Sequence, residues 1–140
     1  MKNKVALVVQ IAVIFGLTFL LVACSTQKNN GAEAVVEQYF QAIVNGDEDR
    51  IATLSCADWE SSARADVAAF YGVKARLEGV TCTKVETGES APGDSVVIEC
   101  GGAIIATYNN EDASFELAGK QFKVIDQGGE WLVCGYVENQ

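Results

Sequence analysis

The chain has 140 residues, 19 acidic and 10 basic side chains, a formal net charge of −9 and no histidine. A surface of that sign repels polyanions, which excludes nucleic acid as a partner. The missing imidazole excludes a histidine general base and a Ser-His-Asp triad.

The N-terminus opens with Lys2 and Lys4 and then runs apolar from Val5 to Ala23, broken only by Gln10, Gly16 and Thr18. A basic end followed by such a run is the pattern of a secretory signal, with the charged end held on the cytoplasmic side. The closing Leu21-Val22-Ala23-Cys24 resembles the lipobox of bacterial lipoproteins. In that family the leader is cut before the cysteine and the thiol is diacylated, often with a further acyl chain on the new amino group. The resemblance implies a signal peptide over residues 1–23, lipidation of Cys24 and a polar tether over residues 24–31. Two or three palmitate-type chains, at about 0.8 kcal/mol per buried methylene, would hold Cys24 stably in a bilayer. The expected location is extracytoplasmic, on the bacterial cell membrane, and by the same analogy Ser25 is compatible with sorting to an outer membrane. The competing reading is an uncleaved transmembrane helix, since about 20 apolar residues span a bilayer. A stop-transfer helix would carry basic residues after the apolar run, and only Lys28 follows closely. Ser25-Thr26-Gln27-Lys28 matches the nucleophile motif of penicillin-binding enzymes, but it lies on a tether without companion motifs and is a chance match.

Losing Lys2 and Lys4 with the leader would leave eight basic residues against 19 acidic ones, a net charge near −11. The remaining chain suffices for one core and not two, so residues 32–138 are expected to form one domain. Four cysteines follow Cys24, and an even count in an exported chain reads as two disulfides. Zinc is the alternative, but no Cys-x-x-Cys pair and no histidine support it, and no metal or other cofactor is expected. If a hairpin turn lies within Glu89 to Gly93, Cys82 and Cys100 fall at or near opposite positions on paired strands. Cys56 is then left for Cys134.

The first helix is expected to start at an Asn30 cap with Glu33 in its first turn. It buries Val35, Val36, Tyr39, Phe40 and Ile43 and stops at Asn45-Gly46. Asp47, Glu48 and Asp49 suit the positive end of a short second helix that buries Ile51 and Leu54. Asp58 is expected to cap a third helix whose Trp59, Ala63, Val67 and Phe70 share one face, ended by Gly72. Beyond it the chain reads as strand: Arg76 to Thr87, Ser95 to Tyr108 with a bulge or bend at Gly101-Gly102, and Phe115 to Asp126 with a break at Gly119-Lys120. Gly128-Gly129 then turns the chain into Glu130 to Val137. Helices first and an antiparallel meander after give an α+β fold with the helices on one face of a curved sheet.

Val35-Val36-Glu37-Gln38-Tyr39-Phe40-Gln41-Ala42-Ile43-Val44-Asn45-Gly46-Asp47 resembles the opening helix of the nuclear transport factor 2-like (NTF2-like) superfamily, whose cone-shaped α+β domain is called cystatin-like. Gly129-Glu130-Trp131-Leu132-Val133-Cys134 resembles the final strand of small bacterial lipoproteins of this kind. The resemblance implies a pocket between the concave sheet face and the helices. In some members that pocket is an active site with an Asp–His or Asp–Tyr pair, and in others it binds small molecules or proteins. Without histidine, any chemistry here would be carboxylate plus tyrosine. Glu99, interrupting the apolar run of its strand, Asp126 and Tyr108 are the candidates, with Trp59 as a pocket wall. Each has a plainer reading: a solvent-facing Glu99, an Asp126 that precedes a turn, a Trp59 in the helical core stripe. The expected function is a non-catalytic binding or accessory domain for a small molecule or an envelope partner. A small pocket enzyme using Glu99 or Asp126 with a tyrosine is the alternative.

Overall fold

The computed structural model describes residues 31–86 and 95–137. The leader, Cys24, most of the tether, the Asn30 cap, the Glu89–Gly93 turn and residue 138 lie outside the described residues.

Helix α1 (Ala32–Asn45) buries Val35, Val36, Tyr39, Phe40 and Ile43, one stripe at helical spacing. Gly46 ends it at φ 67°, donating its N–H to the Ile43 carbonyl at 3.1 Å while Asp47 donates to that of Ala42 at 3.0 Å. This paired closure needs a left-handed residue, which glycine supplies at least cost. Asp47 then caps α2 (Glu48–Thr53), accepting the Arg50 N–H at 2.9 Å, and Ile51 and Leu54 are fully buried.

Helix α3 (Glu60–Ala68) departs from expectation at its start. Asp58 makes no capping bond and is exposed; the position before the helix is Trp59. The turn is organised instead by the Cys56 carbonyl, which accepts from the N–H groups of Trp59 at 2.9 Å and Glu60 at 3.1 Å. Cys56 is held in place from the other side by the last strand, so the helix starts from that fixed point and needs no side-chain cap.

The sheet comprises β1 (Lys74–Lys84), β2 (Ser95–Tyr108), β3 (Glu111–Glu116), β4 (Lys120–Asp126) and β5 (Trp131–Val137), all antiparallel, ordered β1-β2-β4-β5 with β3 also paired to β2. One edge of β2 serves two partners: Ala103–Tyr108 takes β3 and Ser95–Cys100 takes β4. The stretch expected over Phe115 to Asp126 with a break at Gly119-Lys120 is indeed two strands, parted at Leu117–Gly119, where Gly119 has φ 78°, and the first of them already starts at Glu111. The added strand β3 begins after a tight turn at Asn109-Asn110, with φ of 51° and 65°, an αL pair that asparagine tolerates better than most residues. At Gly101-Gly102 the sheet bends as expected. The β1–β2 register shifts between Glu78 and Thr81, and a Cβ on Gly102 would lie 2.5 Å from the Gly79 carbonyl oxygen. A bulge of this kind adds twist and lets the sheet curl around the helices.

Cys82 lies directly opposite Cys100 in the β1–β2 register, and the two are bridged with Cα atoms 4.1 Å apart. Cys56 is bridged to Cys134, Cα atoms 5.3 Å apart, across 78 positions of sequence. Beside that second bridge the chain pairs with β5 in parallel. Cys56 donates its N–H to Val133 at 3.0 Å, and Val133 donates to Leu54 at 2.9 Å. The outer edge of β5 is thus covered at this point, which denies it to foreign strands. In the core, Phe122 of β4 meets Phe40 edge-on at 5.3 Å between ring centroids, with Ile98, Val124 and Val133 fully buried around them.

Candidate functional site

A cleft of about 440 Å³ opens between the concave sheet face and the helices. Phe40 and Ile43 of α1 and Ala69 and Phe70, just beyond α3, form one wall. Ile104, Ala106 and Tyr108 alternate along β2 to form the opposite wall, with Ala113 and Phe115 of β3 beside them. Phe122 and Tyr136 close one end, and Glu116 and Lys120 stand at the rim. A volume of this size suits a small organic molecule.

The polar centre of the cleft is Asp66. Its Oδ2 accepts hydrogen bonds from the Tyr39 and Tyr136 hydroxyls, each at 2.7 Å, and the Tyr39 oxygen accepts from Trp59 Nε1 at 3.1 Å. Every hydroxyl donates once and the Tyr39 oxygen also accepts, so the network is internally consistent. Burial, then the hydrogen bond to Asp66 and its negative charge, raise both tyrosines well above the ordinary phenol range. Both phenols therefore stay protonated and act as donors, not as bases or nucleophiles. Tyr39 is fully buried and holds the carboxylate from behind, whereas Tyr136 is 44% exposed and faces the cleft. Among the described residues, Asp66 has no lysine or arginine as an ion-pair partner.

The candidates named from sequence separate cleanly. Tyr108 lines the cleft at its open end, 66% exposed. Trp59 stands behind the cleft, where it donates to Tyr39 and packs edge-on against Tyr136 at 5.3 Å. Glu99 lies outside it, because alternation along β2 turns it away from Ile98 and Cys100. It accepts there from Gln121 Nε2 at 2.9 Å on the neighbouring strand. Asp126 is also outside; it accepts the Gly129 N–H at 2.7 Å and so fastens the Gly128-Gly129 turn. The carboxylate in the cleft is Asp66, with Tyr136 as its exposed donor. Among the described residues no group of three or more cysteine, aspartate or glutamate side chains is placed to hold a metal ion.

Asp66 had a visible signal: it stands three residues after Ala63 and four before Phe70, an acid on an otherwise apolar helical face. Tyr136 had none, because its direction depends on a bulge. Phe122 pairs with Tyr136 and Val124 with Val133, so β5 carries one extra residue between them, with Gly135 at φ 139°. Strict alternation would send Tyr136 away from the face that Val133 occupies; the inserted residue brings it back.

No protein-family model and no curated protein sequence matches the chain. Among solved structures it is similar to an NTF2-like protein with a cystatin-like fold from Novosphingobium aromaticivorans. The TM-score is 0.51 and the identity 15%, over 72% of this chain and 73% of that one. This is an NTF2-like, cystatin-like fold. A SEC-C motif-containing protein from Rhodopseudomonas palustris is similar too, with a TM-score of 0.50 and 13% identity over 78% of this chain and 80% of that one. The likeness in both cases is one of fold.

Proposed function

We propose that this chain is an extracytoplasmic, lipid-anchored binding domain whose cleft takes an apolar or amphiphilic small molecule, displayed on the cell envelope through acylated Cys24. The observation that carries the binding reading is the cleft itself: about 440 Å³ with mainly apolar walls and one convergent polar centre at Asp66 and Tyr136. Two disulfides support an oxidising compartment, and Leu21-Val22-Ala23-Cys24 supports the anchor. Catalysis is the weaker reading. The Oδ2 of Asp66 is filled by two O–H donors, and both phenols are held in the protonated form, so neither tyrosine is set to take a proton.

Binding is tested with the neutral fluorescent probe N-phenyl-1-naphthylamine against the wild type and Ala106→Trp, which fills the cleft from β2. Saturable fluorescence enhancement is expected for the wild type and its loss for a folded Ala106→Trp. Equal enhancement by both would overturn the cleft as the binding site. The anchor is tested by intact mass spectrometry of protein from native membranes. The expected product starts at Cys24, is heavier by two or three acyl chains, and gains alkyl groups on four cysteines only after reduction. An unprocessed chain would overturn the anchor.

A further inference from the structure

We propose that the ligand of the cleft is a hydrophobic cation, an amine or quaternary ammonium carried on an apolar chain or ring. The proposal rests on the cleft-binding reading and names its chemical class.

Two independent features of the cleft point the same way. The first is charge. The ionisable groups facing it that carry charge at neutral pH are Asp66, Glu116 and Lys120, two carboxylates against one amine and no guanidinium. Glu116 accepts from the Ser114 hydroxyl at 2.6 Å at the rim, and Lys120 is exposed there. Asp66 sits deeper, half-buried in the apolar wall. Two neutral phenols supply its hydrogen bonds, but among the described residues no cation offsets its charge. A carboxylate in such surroundings is costly without an opposite charge, and a bound cation would supply it.

The second feature is the lining. Six aromatic side chains face the cleft: Phe40, Phe70, Tyr108, Phe115, Phe122 and Tyr136. At the Asp66 end, the Tyr136 ring whose hydroxyl holds the carboxylate packs against Phe122 with centroids 5.0 Å apart. Aromatic faces carry negative charge density and attract desolvated ammonium groups, while repelling anions. A head group at Asp66 would meet the carboxylate and these two rings together. The apolar remainder would lie along Phe40, Phe70 and Phe115, where Phe70 and Phe115 already pack edge-on at 5.7 Å. The chain's net charge of −9 also draws cations towards the domain.

Isothermal titration calorimetry at low ionic strength, with three probes of equal chain length, tests this: octyltrimethylammonium, octanol and octanesulfonate. The cation is expected to bind about tenfold more tightly than octanol, and octanesulfonate more weakly than octanol. Asp66→Asn keeps an oxygen for both tyrosines and should lower the ratio of cation to octanol affinity about three- to fivefold, the aromatic contribution remaining, and an unchanged ratio would overturn the role of Asp66. Lys120→Gln, an exposed change, should raise cation affinity about two- to threefold by removing the opposing charge. Octanol binding as tightly as the cation would overturn the proposal and leave the cleft reading standing. Failure of all three probes to bind would overturn both. If Asp66→Asn does not fold, Lys120→Gln decides, and an unchanged cation affinity there counts against the proposal.

Discussion

Replacing Tyr39 by phenylalanine removes one oxygen from the centre of the domain and tests the polar network directly. The Tyr39 side chain is fully buried, and its hydroxyl both donates to Asp66 at 2.7 Å and accepts from Trp59 Nε1 at 3.1 Å. Hydrogen bonds to charged groups contribute about 1.5–3 kcal/mol, and an indole N–H left without its acceptor adds about 0.5–1 kcal/mol when water reaches it in part. Tyr39→Phe should therefore cost about 2–4 kcal/mol in urea unfolding, with the denaturant slope unchanged. Tyr136→Phe removes an equally short bond to the same oxygen, but from a ring that is 44% exposed. Water takes its place, and the cost should fall to about 0.5–1 kcal/mol. Parallel titration of the two variants is the assay. A loss below about 1 kcal/mol for Tyr39→Phe, or equal losses for both, would refute the view that Tyr39 anchors the carboxylate from behind.

Alkaline pH should unfold the domain through the same residues. Both phenols are raised in the folded state above their ordinary value of 10.0. Their contribution is thus complete below about pH 10 and is lost as pH rises, by up to about 1.4 kcal/mol per unit from Tyr39 alone; urea midpoints at pH 9 and pH 11 would show it, and Tyr39→Phe should flatten the slope. Gly102→Ala places a Cβ 2.5 Å from the Gly79 carbonyl oxygen at φ 89°, so it should cost about 3 kcal/mol or more. Gly101→Ala meets nothing within 4 Å, and thermal unfolding should show a loss below about 1 kcal/mol. Replacing Cys56 and Cys134 together with alanine opens a loop spanning 78 positions, against 18 for Cys82 and Cys100. The chain-entropy model gives costs of about 4.5 and about 3 kcal/mol, and denaturant melts of the two double variants should rank in that order.

Most of the architecture was legible because it rests on local rules. The α1 stripe, its Gly46 stop, the acidic start of α2 and the bounds of β2 all follow from periodicity and turn chemistry within a few residues. The cysteine pairing followed too, since register in a hairpin fixes which side chains meet. Strand β3 was hard to read for a physical reason: all of its residues are exposed, its apolar alternation is confined to Ala113 and Phe115, and it is specified by pairing with β2. The site failed in a different way. Glu99 and Asp126 drew notice as acids near apolar runs, yet one points away from the cone and the other fastens a turn. Asp66 was readable from its helical face, while Tyr136 depends on a one-residue insertion in β5 that no periodic reading can locate.

The arrangement of the two bridges bears on how this chain reaches its native state. In order of synthesis the thiols appear as Cys56, Cys82, Cys100 and Cys134, and the native pairs are nested, the outer enclosing the inner. Oxidation of each thiol with the next to emerge would join Cys56 to Cys82 and Cys100 to Cys134, both wrong. Two routes avoid that outcome. Either the β1–β2 hairpin closes before Cys56 is oxidised, or misjoined sulfurs are reshuffled by thiolate exchange. Hairpins form in microseconds, whereas disulfides form and rearrange over seconds to hours. Fast local closure of the hairpin favours the inner pair, and Cys56 then either stays reduced until the final strand brings its partner or is freed from a wrong bridge by exchange.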